Sequence, residues 1–422
     1  MSDVSLKIRS MDELDLKGKT VLCRLDVNSP IDGATGRIKN ENRLDMSLDT
    51  LRTLKSQESK VAIIAHQGDS LDYHNLMPMK EHAEKLSQKL GFPVDYIDDP
   101  CGPAAQAAVR ALPPGGMIIL GNLRYLAEEI STFENSVKLT PERMAGTYLV
   151  RSLGPLAEAY VNDAFSAAHR SSPSMVAFQE FLPSAAGRLF FKEVSALNKI
   201  MSSPPRPCVF FLGGAKISDA FGMLGQALDS GAADAALTGG VTANVFLMAK
   251  GIELGRANAD FIKSQGLGGF VDQARALLAA HGDKIRTPSD LAFEKDGQRR
   301  ELPVAAVMPD ELYVDLGDAT VTAYSRILAE AGAIFVNGPA GQYESPLFSS
   351  GTRRLWEATA ASSAYSVIGG GDTVTAAQTF IDASRLDLVC TAGGALVQYL
   401  SGKRLPLIAA MEKAHSRHHH QQ

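Results

Sequence analysis

The stretch SVIGGGDTVTAA, residues 366–377, runs from an apolar segment through three glycines to an acidic residue and a hydroxyl that open a helix-like segment. Glycine lets main-chain N–H groups point at an anion, and the helix that follows adds the positive end of its dipole. Three other stretches have the same form: VFFLGGAKIS (209–218), ALTGGVTAN (236–244) and IFVNGPAGQYE (334–344). Taken alone, GGGDT reads equally well as a tight strand-to-helix turn capped by Asp372 or Thr373. Beside GGAK, where Lys216 follows a second Gly-Gly turn at a strand end, the phosphate reading becomes the stronger one. The NGPAG turn, alone, reads first as a surface turn; in this company Pro339 suits contact with a flat base, and Glu344 suits ribose hydroxyls.

Towards the N-terminus the same alternation continues. Apolar runs VLCRLDV (21–27), VAIIAH (61–66), VDYI (94–97), MIILGN (117–122) and AYVNDAF (159–165) read as strands. Between them, LDMSLDTLRTLKSQ (44–57) and KEHAEKLSQKL (80–90) show helical periodicity. Strands alternating with helices of this length predict parallel sheets. The fold class expected is α/β, with two doubly wound, Rossmann-like parallel-sheet domains joined by a hinge helix. The first is expected over 1–186 and the second over 187–404, separated by the helical GRLFFKEVSALNKIMSS (187–203) and the proline cluster PPRP (204–207). The segment 405–422 is expected to pack back on the first domain. The polar piece 286–307 reads as an irregular excursion.

The basic residues with strand-like surroundings all precede residue 175: Arg24, Arg43, His66, Arg124, His169 and Arg170. Arg24, Asp26 and Asn28 alternate, which would place them on one face of a strand. HQG (66–68) falls at a strand's carboxyl end, where open α/β sheets hold ligands. Singly, Arg24 reads as well as a structural ion pair, and His169 as a structural histidine. Together they describe an anion cradle. One half of the chain then holds a small anion and the other a polyphosphate.

Composition sets limits. With 422 residues, 45% of them hydrophobic, the chain has room for more than one core. A net charge of −5 argues against nucleic-acid or membrane partners, which call for a basic excess. No apolar run reaches membrane-spanning length and MSDVSLKIRS has no signal-peptide core, so a cytoplasmic protein is expected; a monomer is the separate expectation for its assembly. Cys23, Cys101, Cys208 and Cys390 lack C-x-x-C spacing and read as buried thiols. The tail HSRHHHQQ (415–422) reads as a disordered terminus. GKT at 18–20 has Glu13 where a Walker A loop needs glycine, and no G-x-G-x-x-G occurs.

These motifs, in this order, resemble the phosphoglycerate kinase family over essentially the whole chain. RLDVNSP, NENRL (40–44), AHQG, LGNLRY, VNDAFSAAHR, GGAKIS, DLGDAT (315–320), VNGPAGQYE, GGGDT and TAGGA (391–395) are similar to its successive stations, and the wording of HRSSPS and AHQG is similar to its archaeal-type branch. The resemblance implies reversible phosphoryl transfer between ATP/ADP and the carboxylate of 3-phosphoglycerate, with Mg²⁺. It implies that Arg24, Asp26, Asn28, Arg43, His66, Gln67, Gly68, Arg124, His169 and Arg170 form the acid site. The nucleotide site would comprise Gly213, Gly214, Lys216, Gly239, Gly240, Asn337, Pro339, Glu344, Gly370, Gly371, Asp372 and Thr373. Asp372 would hold the metal, while Arg43, Lys216, Gly370 and Gly371 would act on the moving group. An ionised carboxylate needs no general base, and none is evident among these residues.

Three departures from the family pattern stand out. HQGDS puts Asp69 where H-x-G-R-P has an arginine, Gly121 replaces the glutamate of L-E-N-x-R, and Ala220 replaces a lysine. A carboxylate beside a phosphate dianion repels it. An acyl-phosphate-forming kinase acting on another small acid is therefore one alternative, and a non-catalytic nucleotide-binding protein is another.

Overall fold

The computed structural model describes residues 7–69 and 74–419. Residues 1–6, 70–73, which include Ser70 of the HQGDS loop, and 420–422 of the histidine tail lie outside them. The chain divides into two compact units: one runs up to Val194 and includes the segment from Arg404, and the other spans Ser195–Lys403. The changeover falls inside the helix Arg188–Ser202 and not ahead of it.

In the first unit, β1 (Thr20–Arg24), β2 (Lys60–Ile64), β3 (Asp95–Tyr96), β4 (Met117–Ile119), β5 (Ala159–Asn162) and β6 (Ser184–Ala186) form a parallel sheet in the order 3-4-2-1-5-6. Central strands of such a sheet are covered on both faces and so read as continuous apolar runs. Val21, Leu22 and Cys23 are all fully buried. The helix Asn42–Ser56 buries Leu44, Leu48, Leu51 and Leu54, the three- and four-residue spacing of one helix face. All four cysteines are buried and none is in a disulfide bond.

The second unit repeats the plan. β7 (Cys208–Leu212), β8 (Ala235–Thr238), β9 (Ile285–Arg286), β13 (Ala333–Asn337), β14 (Tyr365–Gly369) and β15 (Leu388–Cys390) lie in the order 15-14-13-7-8-9, all parallel. Trp356, 2% exposed, packs edge-on to Phe211 at 6.0 Å in its core.

The piece expected to be irregular is ordered. β10 (Asp290–Lys295) and β11 (Gln298–Pro303) form an antiparallel hairpin that β12 (Asp315–Leu316) extends to three strands. Asp296 and Gly297 take φ of 54° and 69°, the left-handed pair of a two-residue hairpin turn. Leu291 and Phe293 point inward and Glu294 outward. The Asp-Gly pair was the overlooked signal; the many exposed polar residues obscured it.

A second difference concerns β1. It ends at Arg24, so Asp26 and Asn28 belong to the loop beyond it and do not share a strand face with Arg24. The residues that diverge from this strand end can therefore turn to separate partners.

Both sheets reverse their winding beside their first strand. In the first unit the chain moves outward from β1 to β2 and later returns to β5 on β1's other side; in the second, β8 and β13 flank β7 in the same way. Ligands of open α/β sheets bind in the crevice beyond the strand ends at such a reversal. The loops following β1, β5, β7 and β13 are thus the places where sites belong.

The helix Pro406–His419 packs on the first unit through Leu407, Ile408 and Met411, and Lys413 pairs with Glu142 and Glu180. Leu407 is fully buried and its N–H donates to the Ala168 carbonyl at 3.2 Å. Leu407→Ala should lower the unfolding free energy of the first unit by roughly 2–5 kcal/mol, the usual cost of truncating a core leucine. Denaturant unfolding checks this: the transition of the first unit should shift while that of the second stays in place.

Candidate functional site

The first unit gathers cations around a cavity of about 440 Å³ lined by Asn28, Arg43, His66, Gly68, Asp69 and Arg124, with Ser29, Pro30 and Asn75. Arg43 leaves the first turn of its helix and pairs with Asp26, which also accepts from the Ser166 hydroxyl. Burial pushes the Asp26 carboxyl up, but Arg43, His66, the Ser166 hydroxyl and Arg24 outweigh it and hold the group well below the usual carboxylate range. Asn28 accepts from Gly68 N–H at 2.9 Å, which ties the two loops together. Gly68 has φ of 72°, and a Cβ there would lie 2.3 Å from the Asn75 carbonyl, so only glycine fits.

Gln67 is placed differently from its neighbours. Its side chain is fully buried: Nε2 donates to Ser29 and Asn75 carbonyls, and Oε1 accepts from Ser29 N–H and His82 Nε2. It holds the loop from behind and does not line the cavity. Asn122 does the same from the other side, bonding the Gln67 backbone at both N–H and carbonyl. Arg24 is also withdrawn, 2% exposed beneath His66.

Arg124 is pulled down to about 10 by burial and by the nearby Arg170 and Arg24 guanidiniums. Asp69 lies 3.9 Å from its Nε. Arg170 pairs with Glu134 at 2.7 Å, and His169 is lowered by burial and by Arg170. These two sit on the segment beyond β5 whose Ser166 reaches Asp26, outside the residues lining the cavity. Gly121 is a packing position: a Cβ would meet the Pro100 nitrogen at 2.8 Å, so the glutamate of the resembled motif has no room here. Sequence reading passed over Glu129 and Glu134, which carry no motif, and Ser166 and Ser174, which lie inside VNDAFSAAHR and HRSSPS but were not singled out there.

The second unit has two adjoining cavities. One, of about 480 Å³, is lined by Gly214, Gly240, Asn244, Phe261, Tyr313, Pro339, Glu344 and Asp372, among others. The smaller, about 180 Å³, is lined by Gly213, Lys216, Asp219, Asn337, Gly370, Gly371 and Thr373, with Gly214, Pro339 and Asp372 common to both. A mostly apolar chamber thus opens onto a chamber of backbone N–H groups, a lysine and carboxylates. The former suits a base and sugar, the latter phosphates.

Backbone contact shapes the smaller cavity. Gly213 N–H donates to Asn337 O at 2.9 Å, Gly214 N–H to Pro339 O at 2.7 Å, and Gly338 N–H to the Thr373 hydroxyl at 2.7 Å. Asn337 Nδ2 donates to Gly369 O at 2.7 Å. A Cβ on Gly213 would lie 2.1 Å from Pro339 O. Gly239 precedes the helix Gly240–Ala249 and has no space for a Cβ against the Phe211 ring at 2.6 Å. Gly370 takes φ of 99° at the head of the helix Gly371–Phe380, whose first residues line the small cavity and whose first N–H groups have no partner within the helix. Lys216 Nζ lies 3.5 Å from Asp372, both well exposed. Asn244, Phe261 and Tyr313 were not foreseen; Tyr313 comes from the hairpin side of the excursion, and Asn244 donates to its carbonyl at 3.1 Å.

A family model for phosphoglycerate kinase matches residues 11–403. The chain belongs to the phosphoglycerate kinase family. It is 40% identical over 411 residues to a phosphoglycerate kinase of Methanothermus fervidus, covering 97% of this chain and 98% of that protein. With the Halobacterium salinarum protein of the same name the identity is 42% over 408 residues, covering 96% and 100%. The crystal structure of the Pyrococcus horikoshii phosphoglycerate kinase is similar at a TM-score of 0.86 with 35% identity, covering 97% of this chain and 100% of that one. The corresponding figures for the Coxiella burnetii structure are 0.82, 30%, 96% and 99%. As a family member the chain transfers a phosphoryl group between ATP and the carboxylate of 3-phosphoglycerate, a glycolytic reaction. Among the described residues no helix is long and apolar enough to cross a membrane.

Thr373, 1% exposed, is the pin between the two glycine loops. Thr373→Val leaves the Gly338 N–H without its acceptor, a loss of about 1–3 kcal/mol that corresponds to a several-fold to hundred-fold rise in KM for ATP. Steady-state kinetics at saturating 3-phosphoglycerate measure it. An unchanged KM would place the hydroxyl outside the nucleotide site's support.

Proposed function

We propose that the first unit's cavity, beyond the ends of β1, β2 and β4, holds 3-phosphoglycerate, and that the second unit's paired chambers, at the winding reversal of its sheet, hold ATP. The observation that carries the assignment is the clustering of Arg43, His66 and Arg124 on one cavity and of Lys216, Gly370, Gly371 and Asp372 on the other. On the acid side, Arg43 faces the substrate carboxylate, His66, Arg124 and Arg170 serve its phosphate, and Asp26 and Asn28 fix the loop and accept from its hydroxyl. On the nucleotide side, Pro339 and Gly240 line the base and Glu344 the ribose.

The chemistry follows from charge. A carboxylate with an ordinary pKa of about 3.5 is already ionised at neutral pH. Its oxygen attacks the terminal phosphorus, the bond from phosphorus to the ADP oxygen breaks, and no proton moves. What this chain supplies is placement and neutralisation: Lys216 and the N–H groups at the head of Gly371–Phe380 meet the equatorial oxygens, where charge spreads in the transition state. Asp372, an exposed carboxylate at that helix start, fits the demand of Mg²⁺ for one carboxylate plus phosphate oxygens and water. When bound there the ion neutralises phosphate charge. The two reactants must reach contact distance, so the helix Arg188–Ser202 is proposed as a hinge and closure as part of turnover, in a cytoplasmic monomer.

Lys216→Ala should lower kcat by roughly 10²–10³ with little effect on folding, the scale for removing one donor to a developing charge. A normal kcat with a raised KM for ATP would make the lysine a ground-state anchor instead. Asp69 tests the acid site. Neutralising it with Asp69→Asn should lower KM for 3-phosphoglycerate by about fivefold, because one charge a few ångströms from the phosphate costs roughly 1 kcal/mol in a solvated site. A higher KM would mean that holding Arg124 matters more than the repulsion.

A further inference from the structure

Arg24 is the deepest cation of the first unit and each face of its guanidinium is engaged. Nε donates to the Ser174 hydroxyl at 3.3 Å, Nη1 to the Leu25 carbonyl, and Nη2 contacts His66 Nδ1 at 2.9 Å. Ser174 is in turn held by buried Glu129, its hydroxyl donating to Oε2 and its N–H to Oε1, both at 2.6 Å. A guanidinium has only donors and does not lose its proton in proteins. The nitrogen it faces must therefore accept, so the ring's one proton resides on Nε2. His66 lines the acid cavity while Arg24 does not, so Nε2–H is what the ring offers to a ligand.

We infer that Arg24 is a positioning residue: by occupying Nδ1 it fixes His66 as the Nε2–H tautomer, so that the ring meets the acid substrate as a neutral, oriented hydrogen-bond donor. Four charged groups face the ring: Arg24 from the end of β1, Asp26 from the loop after it, Arg43 from the helix Asn42–Ser56, and Arg124 from the loop after β4. Burial, then Arg24, Arg124 and Arg43, work against a second proton, and only Asp26 favours one, which leaves His66 well below its ordinary value. The sign is plain: lowering pH through the normal histidine range, near 6.5, leaves the ring uncharged. A ring that charged there would instead join three guanidiniums in one pocket. The buried run Glu129–Ser174–Arg24 provides a counter-charge without adding a carboxylate to the cavity wall, where it would repel the substrate.

The inference rests on the assignment of this cavity to 3-phosphoglycerate, and the test separates the two. The ¹⁵N shifts of His66, assigned with a His66→Gln variant, should show unprotonated Nδ1 and protonated Nε2 in the wild type from pH 8 to about 5.5, across the ordinary histidine pKa. Arg24→Met should give mixed tautomers and a ring that titrates near 6.5, with KM for 3-phosphoglycerate raised roughly tenfold, the scale of losing an outer-shell partner, and kcat changed less. Arg24→Lys, which keeps a donor, should recover the Nε2–H form and most of the affinity. Binding of ATP, measured separately, controls for folding. Protonated Nδ1 or a charged ring near neutral pH in the wild type would overturn the inference, even if Arg24→Met fails to fold. So would an unchanged ¹⁵N pattern in a folded Arg24→Met. The expected tautomers with an unchanged KM would leave the pairing standing and count against the cavity as the acid site.

Discussion

Concentrating guanidinium groups is the constraint that organises the first unit. Four arginines, Arg24, Arg43, Arg124 and Arg170, converge near the ends of β1, β4 and β5, and their mutual repulsion would destabilise the fold if each were left without a counter-charge. The chain answers with carboxylates at graded depth. Glu129 is buried and reaches Arg24 through Ser174, Asp26 binds Arg43, Glu134 binds Arg170, and Asp69 lies at the cavity edge near Arg124. The depth matters because a buried carboxylate offsets charge without meeting the ligand, whereas one at the edge does both. Asp69 is therefore a counter-ion as well as a departure from the family pattern, and if the cavity holds the acid substrate as proposed, its two effects on binding have opposite signs.

The second unit meets the opposite problem, how to bring main chain against main chain. Its smaller chamber, the proposed phosphate site, depends on the loops after β7, β13 and β14 touching through backbone, with Gly213, Gly338 and Gly370 at contacts that a side chain would block. A glycine turn read as phosphate-binding is here also a packing requirement, and the two roles share the same atoms. With those loops fixed, the proposed role of the helix Gly371–Phe380, presenting its first N–H groups to the moving group, needs no reorganisation at the moment of transfer.

Much of this was legible in the sequence because strand and glycine-turn signals are local. The parallel sheets, the grouping of Lys216 with Asp372 in one small chamber and of His66 with Arg124 on another cavity followed from strand-end positions, whereas Arg43, in the first turn of the helix Asn42–Ser56, stood out by its motif and its basic company. What was not legible depended on contacts between distant segments. Arg24, Asp26 and Asn28 look alike in an alternating string, yet β1 stops at Arg24 and the three diverge. Gln67 sits inside a site motif but is consumed by backbone bonds to Ser29 and Asn75, which no spacing rule announces. Glu129 lies in no motif and Ser174, 45 positions on, closes HRSSPS with nothing in that motif to pair the two, so the support beneath His66 was invisible. The hairpin at 290–303 carried a readable Asp-Gly turn but was masked by its solvated face.

The central claim is that each unit holds one reactant independently, and hydrogen–deuterium exchange with single ligands tests it most directly. 3-Phosphoglycerate alone should protect amides around 26–29, 66–69 and 122–124 and leave the glycine loops unchanged. ATP with Mg²⁺ alone should protect 213–217, 338–344 and 370–374 and leave the first unit's loops unchanged. Protection of the glycine loops by 3-phosphoglycerate alone, or of the 66–69 loop by ATP alone, would contradict the division of labour between the two sheets.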